Sequence, residues 1–341
     1  MTNNNVYVHI GLLKTSTTHI QRLFSLIKYD KFLYNHEIFD EMNKIINMFA
    51  HNEISFNDLK INIMKEKLNH FFLKNSDKCI LYSEEGLSNS GYGMVSANNI
   101  NKRMKLLNYF IPQAKIILFL REHKRWIVSQ YKQSILIGNF QSFKKFINNG
   151  ENEISCEDTY RNGILPKITI RNIQFKEFIE ITKKYFGKKN LFVFKYEFFK
   201  KDYKKNFEKI LYLIFSDNLT KIDLSSLPYN EKTYRSLSGL SITIILTLNV
   251  ILRPLVKRMY YNKNFKLFNF SGTKSNDSFL SKYFNWVRVR KLFQKYIDRI
   301  YYIDLSFTKN KIKELSKYQD FFDKDNYNSI ETYEWQNVQM Y

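Results

Sequence analysis

The stretch that most constrains this chain is residues 6–24, Val-Tyr-Val-His-Ile-Gly-Leu-Leu-Lys-Thr-Ser-Thr-Thr-His-Ile-Gln-Arg-Leu-Phe. Val6 to Ile10 is β-branched and aromatic in alternation, which predicts a short buried strand. Gly11 permits a tight turn. Lys14, Thr15, Ser16, Thr17 and Thr18 follow, and then an amphipathic helix with Ile20, Leu23, Phe24 and Ile27 on one face. Strand, turn, lysine, hydroxyls and helix together make an anion site. The first helical turn offers unpaired N–H groups and a positive dipole end, and Lys14 adds a full charge. The plainer alternative is a β-turn-α connection whose hydroxyls only cap the helix.

The spacing is not that of a nucleoside-triphosphate loop. Lys14 follows Gly11 by three positions and no glycine directly precedes it, so G-x-x-x-x-G-K-[ST] is absent. The segment resembles instead the K-[TS]-G-T-T loop of sulfotransferases that use 3′-phosphoadenosine-5′-phosphosulfate (PAPS). Thr17, Thr18, Ile20 and Gln21 reproduce the T-T-x-[IL]-Q continuation of bacterial, carbohydrate-type members. Ser16 stands where that family usually has Gly, and would be strained if the position needs a positive φ.

A second strand is expected at Cys79–Ser83, ending in Glu84-Glu85-Gly86-Leu87-Ser88. Ligands of open parallel sheets bind beyond the carboxyl ends of strands, so this acidic pair is placed for chemistry, or merely solvates the loop. Like charge between the two acids could lift one of them toward neutrality if they share an environment. The third strand, Lys115–Leu120, is nearly all apolar, as a central parallel strand should be. It runs into Arg121, with Ser129 eight residues on, and a guanidinium and a hydroxyl can together grip one phosphate. Arg121, Arg125, Ser129 and Tyr131 resemble the R-x-P-x-x-R-x-x-S-x-Y segment with which sulfotransferases hold the 3′-phosphate. His123 replaces the usual Pro. A fourth strand at 190–195, followed by Tyr196-Glu197 and a basic helix, is similar to the family's corresponding strand. Glu197 is expected there as a structural hydrogen-bond acceptor.

Helices are expected over 37–75, 98–110 and 168–186, with a loop or lid over 142–161. Leu240–Leu252 is the most apolar run, too short to span a bilayer. It suits a buried or partner-facing helix, or shallow contact with a membrane surface. Residues 279–302 interleave Trp286, Arg288, Arg290, Lys291 and Phe293, a pattern open to an acidic ligand or to an ordinary amphipathic helix. Phe321–Tyr327 is similar to the family's closing helix, and Lys232 and Arg235 resemble weakly a further cofactor-contacting segment.

Net charge is +22, from 54 Lys+Arg against 32 Asp+Glu, and attracts polyanions, nucleotides or anionic surfaces. Part of that excess is general enrichment in Lys, Asn and Ile. Cys79 and Cys156, the 2 cysteines, form no C-x-x-C pair, and the 6 His show no metal-ligand spacing. The start of the chain lacks a basic segment and apolar core of a secretory signal, so a cytoplasmic location is expected, peripheral to the inner membrane surface at most.

The resemblance implies one sulfotransferase-like domain over 1–341, with a helical insertion at about 30–75 and a helical, basic part at about 228–341. The fold implied is α/β, P-loop-like and three-layered, with a central mainly parallel sheet flanked by helices. The activity implied is transfer of a sulfuryl group from PAPS to a hydroxyl or amine of a carbohydrate or glycolipid. The product is 3′-phosphoadenosine-5′-phosphate (PAP), and no metal and no nucleic acid are expected. Cofactor binding falls to Lys14, Thr15, Ser16, Thr17, Thr18, Arg121, Ser129, Lys232 and Arg235. Catalysis falls to Lys14 and to Glu85 as base, with Glu84 in reserve. A small-molecule or nucleotide kinase, and a noncatalytic polyanion- or membrane-binding protein on the same fold, stay open.

Overall fold

The computed structural model describes residues 5–12, 15, 17–88, 97–136, 141–148, 168–169, 174–229, 239–251 and 305–332. Lys14, Ser16, Cys156, Lys232, Arg235 and the basic-aromatic stretch 279–302 lie outside them.

The elements run β1 (Val6–Gly11), α1 (Thr17–Ser25), β2 (Phe32–Tyr34), α2 (Ile38–Ala50), α3 (Leu59–Lys74), β3 (Cys79–Ser83), α4 (Ala97–Phe110) and β4 (Lys115–Leu120). Then come α5 (His123–Leu136), α6 (Phe143–Phe146), β5 (Ile147–Asn148), β6 (Ile168–Thr169), α7 (Phe175–Phe186) and β7 (Leu191–Lys195). Next are α8 (Tyr196–Lys201), α9 (Tyr203–Phe215), α10 (Gly239–Ile251), α11 (Leu305–Glu314) and α12 (Gln319–Asp325). Residues 1–123, 172–233 and 321–341 form one compact unit; residues 124–171 and 234–320 form another.

The first unit is α/β. Its five-stranded sheet has the order β2-β3-β1-β4-β7, and every pairing is parallel. Because side chains alternate across a strand, one face carries Tyr7, Leu81, Ile117, Phe119, Phe192 and Phe194. On that face α1 contributes Ile20, Leu23 and Phe24, and α9 contributes Phe207, Ile210, Leu211 and Ile214. Ile20 and Leu23 are fully buried, each worth about 1.5–3 kcal/mol against exposure. That burial, rather than helix propensity, holds a helix as short as α1 in place. The opposite face is covered by α2, α4 and α7: Phe39 of α2 stacks on Tyr82 at 4.9 Å, and α7 packs on β4 and β7. Three layers result, with a central sheet buried on both sides as its apolar strands require.

Two local expectations are corrected. The helical insertion expected at about 30–75 opens with a short strand, β2, which pairs with β3 and edges the sheet, and the helices follow from Ile38. Three residues carry no readable period, and the tertiary pairing decides their conformation. The helix expected from 168 begins at Phe175, because Ile168 and Thr169 pair in parallel with Ile147 and Asn148 within the second unit.

In the second unit Tyr131 is buried against Phe143 at 5.0 Å and Phe146 at 5.2 Å, and its hydroxyl donates to the Gln141 carbonyl at 2.8 Å. α10 is the apolar run expected over 240–252, and no helix among the described residues is long and apolar enough to cross a membrane.

Candidate functional site

The carboxyl ends of β3, β1 and β4 lie side by side, since β1 is paired to both neighbours in parallel. Neighbouring strands sit about 4.8 Å apart, so whatever leaves these three ends shares one edge of the sheet. The acidic pair leaves β3, the hydroxyl loop leaves β1, and Arg121 leaves β4.

Gly11 is not the turn expected of it. It is the last residue of β1, opposite Phe119, and the turn begins at Leu12, whose N–H donates to the Phe119 carbonyl at 3.4 Å. Thr15 closes that turn. Its N–H and its hydroxyl both donate to the Leu12 carbonyl, at 3.2 and 2.6 Å, and the residue is fully buried. Thr15 was expected to offer its hydroxyl to a phosphate, but the proton is committed inside the loop. Thr17 is the first residue of α1 and Thr18 is exposed in its first turn. That turn contains no acidic residue of its own to offset the positive end of the helix dipole.

Near the carboxyl ends of β1 and β3 runs a buried polar network centred on Ser83. The Nδ1 of His9 lies 2.6 Å from its hydroxyl, and Gln21 Nε2 donates to the same oxygen at 3.2 Å. Asn35 brackets the Ser83 backbone, accepting from its N–H at 2.7 Å and donating to its carbonyl at 3.2 Å. Asn35 sits at φ 45°, in the left-handed region that asparagine tolerates better than most residues. The Gln21 of the T-T-x-I-Q pattern therefore ties α1 to the end of β3. Nothing in the sequence around His9 signals this partnership with Ser83. The imidazole is buried edge-on against Phe119 at 5.1 Å, and burial lowers its pKa to about 3, so the ring is neutral.

The two acids diverge. Glu84 follows Ser83 and therefore turns to the opposite face, where Oε1 accepts from the Gly86 N–H at 2.6 Å. Burial raises its pKa; the Gly86 hydrogen bond opposes the rise, Asp40 adds to it and Arg103 opposes it. The charge that helps lift Glu84 is thus Asp40, not the adjacent Glu85 that the sequence suggested. Glu85 opens a short 3-10 turn, Glu85–Ser88, whose Ser88 hydroxyl shares its one proton between the Glu85 carbonyl at 2.7 Å and the Gly11 carbonyl at 3.2 Å. That pins the turn bearing Glu85 against the end of β1.

At the end of β4 the Arg121 guanidinium lies over the Tyr196 ring at 4.7 Å. Such stacking on an aromatic face restricts the orientation of the planar fork. Glu197 accepts from the Glu122 N–H at 3.3 Å and from the Tyr327 hydroxyl at 2.6 Å, a structural acceptor's role. Ser129 is half-buried in α5, within the second unit. That unit has its own cleft of about 430 Å³, lined by Leu240, Thr243, Phe307 and Asn310 among others and by no expected site residue. Among the described residues no group of three or more His, Cys, Asp or Glu is placed to hold a metal ion.

No protein-family model and no curated protein sequence matches the chain. Among solved structures, a sulfotransferase from Alicyclobacillus acidocaldarius is similar. The match covers 75% of this chain and 96% of that one, at 13% identity and a TM-score of 0.38.

Proposed function

We propose that this protein is a sulfotransferase that moves a sulfuryl group from PAPS to a hydroxyl or amine of a carbohydrate or glycolipid acceptor. The observation that carries the reading is the β1–β4 pairing. It sets Leu12, where the lysine- and hydroxyl-bearing loop begins, in hydrogen-bond contact with Phe119, two residues before Arg121. Two anion-gripping segments leave adjacent strands on one edge, which suits a nucleotide phosphorylated at both its 5′ and 3′ positions.

In this reading the loop N–H groups and Lys14 face the 5′-phosphosulfate, and Arg121 with Ser129 takes the 3′-phosphate, as the sequence resemblance assigns them. The acceptor oxygen attacks sulfur while the bond from sulfur to the bridging phosphate oxygen breaks. Lys14 neutralises charge on that leaving oxygen, and PAP departs. The acceptor's proton passes to Glu85, whose turn is fastened to β1; Glu84, half-buried and hydrogen-bonded to Gly86, is the weaker candidate. Net charge of +22 suits an anionic donor and an acceptor held near an anionic lipid surface.

The test is incubation of the purified protein with PAPS and a panel of bacterial surface oligosaccharides and lipid-linked sugars. The expected result is release of PAP in step with a sulfated sugar. Phosphoryl transfer from ATP to the same panel, with PAPS untouched, would overturn the reading in favour of a kinase.

A further inference from the structure

Arg121 is followed by two residues that are each tied to the last described segment of the chain. The ring of His123 is 2% exposed, stacked on Phe175 at 4.2 Å with 16° between planes, tilted against Phe322 at 5.4 Å and met edge-on by Tyr327 at 5.9 Å. Its Nε2 lies 2.6 Å from Asp325 Oδ2. The same carboxylate accepts from the Phe175 N–H at 2.8 Å and the Lys176 N–H at 2.9 Å, so it also caps the N-terminus of α7. Glu122 is held through its main chain: its N–H donates to Glu197, whose other oxygen accepts from Tyr327. Tyr196, beneath the Arg121 guanidinium, is the neighbour of Glu197. Lys195, at the end of β7, donates to the Asn328 carbonyl at 3.2 Å and lies over the Tyr327 ring at 5.0 Å.

Resting on the proposed function, we infer that residues 322–330 are a latch that fixes where Arg121 stands, with Asp325 and Tyr327 as positioning residues for its grip on the 3′-phosphate. The physical reason is local. A strand-end arginine has many rotamers, and its fork is useful to a phosphate only when the backbone beneath it holds one geometry. Here His123 supplies no backbone constraint of its own, so the turn is set by a buried carboxylate and a phenol about two hundred residues away in sequence. Each is a charge-assisted hydrogen bond in a low-dielectric setting, the strong kind.

The probes are PAP and adenosine 5′-monophosphate, which lacks the 3′-phosphate, titrated calorimetrically into the full chain. In wild type PAP binds more tightly. In Asp325→Asn and in Tyr327→Phe the PAP Kd rises about tenfold while the monophosphate Kd stays put, equal to a loss of about 1.4 kcal/mol. His123→Gln, which keeps a donor near the Nε2 position, retains the wild-type ratio, and His123→Phe loses it. Equal weakening of both ligands, or an unchanged ratio in folded Tyr327→Phe and His123→Phe, overturns the latch. Should Asp325→Asn fail to fold, Tyr327→Phe, which deletes one hydroxyl, reads the same ratio. A wild type indifferent to the 3′-phosphate removes the proposed function and the latch with it.

Discussion

His9 and Ser83 stand opposite each other in the β1–β3 register, and the imidazole Nδ1 lies 2.6 Å from the hydroxyl. Both are buried at the strand ends from which the candidate loop and acids depart. Burial lowers His9 from 6.5 to about 3. Between those values the unfolded chain takes up a proton that the folded chain refuses. Stability from this group is therefore complete above pH 6.5 and is lost as pH falls, by roughly 5 kcal/mol at the acid end. His9→Asn, which keeps a hydrogen-bonding group near Nδ1, is expected to flatten the rise in stability between pH 4 and 6.5. Urea melts across that range measure it, and parallel slopes for wild type and variant would contradict the assignment.

Glu84 and Glu85, adjacent in sequence, do different work. Glu85→Gln is expected to lower kcat about 100-fold, the scale of a lost general base, while PAP affinity is kept. Glu84→Gln keeps the acceptor for the Gly86 N–H and removes a carboxyl whose pKa burial already raises, so turnover changes little. Steady-state kinetics on both variants decide it. Normal rates for Glu85→Gln with collapse for Glu84→Gln would move the base to Glu84.

Acid should loosen the segment around Asp325. Burial works to raise its pKa, but the hydrogen bonds from His123, Lys176 and Phe175 outweigh it and hold the carboxyl below 3.8. Stability from this group is present above pH 3.8 and is lost as pH falls below it through the folded pKa. The protection of the Phe175 and Lys176 amides, taken relative to their intrinsic exchange rate at each pH, is expected to fall in that acid range in wild type. Asp325→Asn should exchange faster already at neutral pH. Protection in the variant equal to wild type would refute the cap.

Much of the fold was legible because apolar runs are strong signals when both faces are buried. Lys115–Leu120 and Cys79–Ser83 are strands at the residues expected, and the run beginning at Val6 continues through Gly11. What was not legible depends on partners distant in sequence. β2 is three residues long and owes its conformation to β3. Asp325 is a polar residue in a helix until His123, 202 positions away, is brought beside it. The role of His9 is not legible because nothing local announces Ser83 or Gln21. Of the candidate site, the three strand ends were readable from residue type after each strand. The commitment of Thr15 to its own loop and the turning of Glu84 to the far face were not, since both follow from pleat and turn geometry.

Calorimetric titration of wild type, Lys14→Ala and Arg121→Ala with PAP, adenosine 5′-monophosphate and ATP tests the central claim most directly. The account predicts one saturable PAP site per chain, weakened at least tenfold by either substitution. Arg121→Ala should erase the preference for PAP over the monophosphate, and Lys14→Ala should weaken both. Affinity that ignores the 3′-phosphate, or PAP binding unchanged in both variants, would contradict it.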